Sequence, residues 1–161
     1  MEFEQRLERA IVRGQQTRQA RGQAEAERAM TEEELKRLHT RSRIDLSEHI
    51  ERCLKKLAEH FPGFQFETVV GEGGWGAQVS RDDFRGSRSR SARNEYSRLV
   101  MLVSPYSSAH IVELTAKATI RNKEIFNRTH YHLLSQVDVE SFEELIDLWV
   151  LEYAEQYSAK G

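Results

Sequence analysis

The chain has 161 residues, of which 39% are hydrophobic and 31% are charged, and its net charge is -2. This proportion of hydrophobic and charged residues is typical of a globular protein. The length suits one ordinary domain and is too short for two. The single cysteine, Cys53, excludes an internal disulfide and favours a reducing compartment. Apolar runs are far shorter than a membrane span, so we expect a cytoplasmic protein that does not contact a membrane.

Residues 1–43 are expected to form a charged helical extension. Phe3, Leu7 and Ile11 recur at helical spacing, and the following residues are mostly Arg, Gln, Glu and Ala. Gly14 lies inside this pattern, and a glycine costs a helix about 1 kcal/mol relative to alanine. The extension is therefore either a coiled-coil or partner-binding arm, or a partly disordered segment.

A single α+β domain is expected over residues 44–161. Thr31 and Glu34 form a capping box, which predicts a helix start just before the domain. The apolar stripe becomes dense further along, so we assign residues 46–61 to the first helix of the domain, ended by the Pro62-Gly63 pair.

Alternating apolar residues predict five strands. The first two flank residues 71–76, which match the pattern G-x-G-x-x-G. A phosphate-binding loop of this type needs a helix behind the glycines, whereas a strand follows here, so we interpret the segment as a hairpin turn. Three more strands are expected near 95–104, 108–121 and 124–136. The predicted fold is a five-stranded, mainly antiparallel sheet between an N-terminal and a C-terminal helix, the latter starting near a Ser141/Glu144 capping box.

The last hairpin gives a register and hence two faces. A turn at Asn122-Lys123 places Arg121 opposite Glu124. One face then carries the apolar residues of the fourth strand. The opposite face carries the polar set Glu113, Thr115, Lys117, Arg128, His130 and His132.

This polar set is a candidate anion-binding site. The predicted register places Lys117 opposite Arg128, and opposed like charges are unfavourable unless they are solvated or share an anion. A phosphate or carboxylate ligand would also find donors in Thr115 and His130. His132 and His130 have a spacing that metals use, but the nearby cations oppose a metal ion. We therefore predict no metal and no cofactor.

No catalytic residue is predicted. No Ser-His-Asp order, carboxylate pair or Walker pattern can be assembled from the chain. Cys53 falls on the apolar stripe of the first domain helix, where a thiol behaves as a small hydrophobic group rather than as a nucleophile. An enzyme is therefore the less favoured reading.

Residues 85–93 form a loop with four arginines and no acid, namely Arg85, Arg88, Arg90 and Arg93. The loop resembles the short arginine-serine tracts of RNA-binding proteins, which implies contacts to backbone phosphates. The alternative is a solvated loop that packs against the acidic C-terminal helix.

Three functions follow from these features. The first hypothesis is a non-catalytic, cytoplasmic protein-interaction or adaptor module that engages a protein partner, or itself, through residues 2–43 and the acidic face of the C-terminal helix. The second is RNA binding through the arginine loop and the basic sheet face. The third is a small anionic ligand, or an enzyme site, between the sheet and a helix.

Overall fold

The computed structural model describes residues 2–28, 30–84 and 94–160. In chain order the elements are helices α1 (Phe3–Arg28) and α2 (Glu32–His60), strands β1 (Gln65–Gly71), β2 (Gly74–Phe84), β3 (Asn94–Val103), β4 (Ile111–Ile120) and β5 (Lys123–Leu133), and helix α3 (Val139–Ala159). A 3-10 turn, Leu134–Gln136, joins β5 to α3. The predicted α+β class, with an antiparallel five-stranded sheet, is confirmed. The chain divides into two compact units, Met1–Leu35 and Lys36–Gly161.

The first unit consists of α1 and the start of α2. Residues 2–22 are all exposed, including the large apolar side chains of Phe3, Leu7, Ile11 and Val12. The backbone N–H of Glu34 donates to Thr31 Oγ1 at 3.2 Å. This bond confirms the predicted cap at the start of α2.

The second unit is built on a sheet whose strands follow one another in chain order, each antiparallel to the next. The glycine segment is the turn between β1 and β2, as predicted. Gly74 has a φ of 131°, which favours glycine. At Gly76 a Cβ would lie 2.0 Å from the carbonyl oxygen of Met101 in β3, so the close approach of β2 to β3 requires glycine there.

Helices α2 and α3 pack on the same face of this sheet. Arg43 and Lys55 of α2 lie over the rings of Trp75 and Phe66, and the hydroxyl of Tyr153 in α3 donates to Thr119 O at 2.9 Å. The helices bury apolar stripes, and the sheet buries alternate residues beneath them. The fully buried members include Leu46, Ile50, Leu54, Ala77, Val79, Leu99, Met101, Leu114, Ala118, Phe142, Ile146 and Tyr153.

Helix α2 is longer than the predicted segment 46–61. Its first half already contacts the connection that follows β3, because His39 Nε2 lies 3.0 Å from Ser104 O and His39 is 3% exposed. Helix α3 also begins earlier than predicted. Its cap is Asp138 rather than Ser141, and Asp138 Oδ1 accepts the Ser141 N–H at 3.4 Å.

The predicted register of the last hairpin is wrong, by two residues next to the turn and by one residue beyond a bulge. The turn residues are Arg121 and Asn122, with φ values of 47° and 70°, the pattern of a two-residue turn that matches strand twist. Asn122 also holds the turn against β3, since its Oδ1 accepts the Tyr96 N–H at 2.9 Å and its own N–H donates to Tyr96 O at 2.8 Å. Together with a bulge at Ala118/Thr119, this gives the pairs Thr119 with Glu124, Lys117 with Asn127, Ala116 with Arg128, Glu113 with Tyr131 and Val112 with His132.

Candidate functional site

The structure does not bring the predicted anion-binding residues together. Beyond the bulge at Ala118/Thr119 the pairing is shifted by one residue from the predicted register, which moves the β5 side chains from Phe126 onward to the other face of the sheet. Arg128, His130 and His132 therefore lie on the face covered by the helices. Lys117, Glu113 and Thr115 lie on the opposite face. The predicted convergence is wrong, while ligand binding by the individual residues stays a prediction.

Arg128 is held by α3 rather than open to an anion. Its two terminal nitrogens contact both carboxylate oxygens of Glu152, the second pair 3.1 Å apart. This hydrogen bonding raises the pKa of the guanidinium. The guanidinium carbon of Arg128 also lies 4.4 Å from the ring centre of Phe126. On the opposite face Lys117 is exposed, and Ser104 Oγ donates to Glu113 Oε1 at 2.7 Å.

His130 and His132 form a pair beneath the start of α3. Their Nε2 atoms are 3.3 Å apart, and the ring of Phe142 lies 5.4 Å and 4.4 Å from the two imidazoles. The Asp138 N–H donates to His132 Nδ1 at 3.3 Å, so neutral His132 carries its proton on Nε2 and donates it to His130. Desolvation first, and the neighbouring His132 second, lower the pKa of His130.

The arginine loop 85–93 lies outside the described residues. The basic sheet face expected to accompany it is not formed, because Lys117 and Arg128 lie on opposite faces. RNA binding by the arginine loop therefore stays a prediction, without the basic sheet face that was expected to accompany the loop.

A groove lies between α2 and α3 in the second unit. It has a volume of about 560 Å³. The contacting residues advance together, from His49 beside Asp147 to Phe61 beside Tyr157, so the helices run parallel. Its lining is mainly apolar and comprises Cys53, Lys56, Leu57, His60, Phe61, Asp147, Val150, Leu151 and Ala154.

One end of the groove carries a cluster of three donor groups. His49 Nε2 lies 2.7 Å from Asp147 Oδ1, and Cys53 Sγ lies 3.3 Å from the same oxygen. Arg52 donates to His49 Nδ1 at 3.4 Å, so the proton of neutral His49 is on Nε2 and is donated to Asp147. The carboxylate thus accepts from both an imidazole and a thiol.

Cys53 is only half-buried, contrary to its predicted place in the core. Burial, followed by the hydrogen bond and the charge of Asp147, raises the pKa of its thiol to about 12. The thiol is therefore protonated at neutral pH, which makes it a donor to Asp147 and a poor nucleophile.

No family model, curated protein or solved structure matches this chain. None of the described helices combines the length and the apolar content needed to span a lipid bilayer.

The two rims of the groove differ in charge. On α3, Glu144 and Glu155 flank Leu151 along its exposed side, and Leu151 itself is 64% exposed. On α2, Arg52 and Lys56 are exposed on the other rim together with the acid Glu59. The groove thus offers an apolar floor between an acidic rim and a rim that carries two basic residues, which is a surface suited to an amphipathic helix.

The sequence contains one indication of this cluster, which was missed because Cys53 was assigned to the apolar core. His49 and Cys53 are four residues apart, which puts them on the same face of a helix. Asp147 lies among the acids of α3, so its position facing α2 depends on tertiary packing. The sequence therefore predicts that His49 and Cys53 lie together, but it does not predict that Asp147 joins them.

Proposed function

We propose that this protein is a non-catalytic, cytoplasmic protein-interaction module that associates with a second copy of itself through α1. The observation that carries the proposal is the exposed apolar face of α1. Phe3, Leu7 and Ile11 are 78%, 46% and 51% exposed. Three large apolar side chains at this spacing are the anchors of a helix that binds in a groove. A single reduced thiol, Cys53, supports the cytoplasmic part.

The charges beside these anchors divide by sign. At 100° per residue, Glu4 and Glu8 lie on one side of the apolar face of α1, and Arg6 and Arg13 lie on the other. Val12 points away from the anchors, about 180° from Phe3. Helix α1 therefore has one acidic and one basic flank along a short apolar face.

We assign the α2–α3 groove of the second copy as the site that receives α1. In one of its two directions, α1 places its basic flank on the acidic rim with Glu144 and Glu155, and its acidic flank on the rim with Arg52 and Lys56. Complementary charge of this kind selects the direction and the partner. The apolar anchors then cover Leu151, which is exposed in the free groove.

The expected association is weak. Full burial of each apolar anchor contributes roughly 1.5–3 kcal/mol, and the anchors are already partly covered in the free helix. Loss of translational and rotational freedom costs about 4–15 kcal/mol. Three anchors contribute at most about 9 kcal/mol, so with the smallest association cost we expect a binding free energy no better than about -5 kcal/mol, which is a dissociation constant in the submillimolar to millimolar range.

The test is sedimentation equilibrium of the full-length protein over a wide concentration range. The wild type is expected to gain mass as concentration rises, and Leu7→Asp is expected to abolish the gain. Val12→Asp is the matched control, because it places the same charge on the opposite face of the same helix. A wild-type monomer at every concentration, or equal loss in both variants, overturns the proposal.

A mixing experiment tests the groove separately. Leu151→Glu is expected to block the groove and give a monomer, whereas Leu148→Glu, a 61% exposed leucine outside the lining, is expected to associate normally. Mixing the Leu7→Asp and Leu151→Glu variants supplies one intact α1 and one intact groove. The mixture is expected to regain a heterodimer, and a mixture of two monomers refutes docking of α1 in this groove.

A further inference from the structure

The cluster at the end of the groove joins three different donor groups from two helices. His49 and Cys53 lie one turn apart on α2, and Asp147 faces them from α3. Their donor atoms, one nitrogen, one sulfur and one oxygen, all lie within 4.8 Å of one another. Within the described residues this is the group of histidine, cysteine and acidic side chains with the geometry of a metal site.

Two of the three separations are close to those that a tetrahedral zinc ion imposes. Zinc binds imidazole nitrogen and carboxylate oxygen at about 2.0–2.2 Å and thiolate sulfur at about 2.3 Å, which places the ligand atoms about 3.4–3.6 Å apart. The Cys53 sulfur is 3.3 Å from the Asp147 oxygen, and the His49 nitrogen is 2.7 Å from it. Tetrahedral binding needs the shorter contact to open by less than 1 Å, and it needs the His49 nitrogen and the Cys53 sulfur, which lie within 4.8 Å of each other, to settle about 3.6 Å apart.

We infer that His49, Cys53 and Asp147 form a binding site for a zinc-type divalent ion. Imidazole and thiolate select zinc or cobalt over magnesium and calcium, which prefer oxygen ligands alone. Three protein ligands leave a fourth position for water, as in an open zinc site. The Asp147 side chain is 51% exposed and gives the ion a path from solvent, while that of His49 is 15% exposed. The inference stands independently of the docking of α1.

Binding changes the protons of the cluster in a defined way. The thiol of Cys53 loses its proton to solvent, because the thiolate is the ligand. Neutral His49 moves its proton from Nε2 to Nδ1, so that the Nε2 lone pair faces the ion. Each ion bound therefore releases one proton. Arg52, which donates to Nδ1 in the structure, must turn away, and its charge opposes the ion.

Because Arg52 must turn away when the ion binds, a change at Arg52 distinguishes a metal site from a cluster that only stabilises the fold. Arg52 is exposed and can be changed without opening the core. Arg52→Gln removes a cation and supplies an oxygen that accepts the new Nδ1–H. We expect this variant to bind zinc several-fold more tightly than the wild type, because a hydrogen-bond acceptor on Nδ1 orients the ring and raises its basicity.

The experiment is titration of the full-length, metal-free protein with Co²⁺, followed by competition with Zn²⁺. We expect one equivalent to bind, with the visible absorption of tetrahedral cobalt and a sulfur-to-cobalt charge-transfer band that zinc abolishes. Cys53→Ser is expected to remove the charge-transfer band. Asp147→Asn is expected to weaken binding at least tenfold.

His60→Gln is the matched control, because His60 lies on the same helix and lines the same groove outside the cluster. It is expected to bind cobalt like the wild type. Circular dichroism before metal addition shows whether each variant is folded, and a folded Asp147→Asn that binds normally refutes the site. The inference is also overturned if the wild type shows no saturable cobalt binding, or if His60→Gln abolishes that binding.

Discussion

Asn122 gives the sharpest test of how the last hairpin obtains its register. Its φ of 70° lies in the left-handed region, and its Oδ1 accepts the Tyr96 N–H at 2.9 Å. Alanine at this position loses the hydrogen bond, worth about 0.5–1.5 kcal/mol, and pays roughly 1–2 kcal/mol for the left-handed backbone. Glycine loses the same hydrogen bond but adopts this backbone freely.

We therefore expect Asn122→Ala to lower the free energy of unfolding by about 1.5–3 kcal/mol and Asn122→Gly by roughly 1 kcal/mol. Urea unfolding followed by circular dichroism measures both. If Asn122→Gly lowers the free energy of unfolding as much as Asn122→Ala does, the left-handed backbone is not the reason why asparagine stabilises this turn. An NMR contact across the strands provides a second check, because the wild type should pair Ala116 with Arg128. A pairing of Lys117 with Arg128 would show that the register reasoning fails.

Three further predictions concern the sheet and its covered face. Gly76→Ala places a Cβ 2.0 Å from a β3 carbonyl oxygen and is expected to cost at least about 1–3 kcal/mol, whereas Gly71→Ala, with nothing within 4 Å, should cost far less in the same urea assay. Arg128→Gln removes a half-exposed ion pair, so a loss near 0.5–1 kcal/mol that shrinks in high salt is expected; a loss that is independent of salt contradicts this assignment. The lowered pKa of His130 means that the unfolded chain binds more protons below pH about 6.5, so stability should fall on acidification from there to the folded pKa. His130→Gln should flatten that slope in thermal unfolding at pH 5 to 7, and an unchanged slope refutes the assignment.

Much of the fold was readable because it depends on local pattern. The alternation in β4 placed Val112, Leu114, Ala116 and Ala118 on the core side, and all four are buried. The capping pair Thr31/Glu34 located the start of α2. Both signals are set by residues a few positions apart, so neighbouring sequence suffices to interpret them.

The candidate site was not readable for the opposite reason. The position of the turn is set by a contact with Tyr96 in another strand. The face of β5 depends on the bulge at Ala118/Thr119, because moving a two-residue turn by one position shifts the pairing by two residues and keeps the faces, whereas the bulge shifts it by one. A shift of one residue separated Lys117 from Arg128. The groove likewise depends on α2 and α3 lying side by side on one face of the sheet, which no local pattern in either helix specifies.

The strict chain order of the strands bears on how the molecule folds. Every strand pairs only with its neighbours along the chain, so the sheet can grow one hairpin at a time without closing a long loop. A low contact order of this kind favours fast folding. The contacts between α2 and α3, such as His49 with Asp147, join residues 98 positions apart. We therefore expect the groove to be the last part of the second unit to form, with low φ-values at its lining residues.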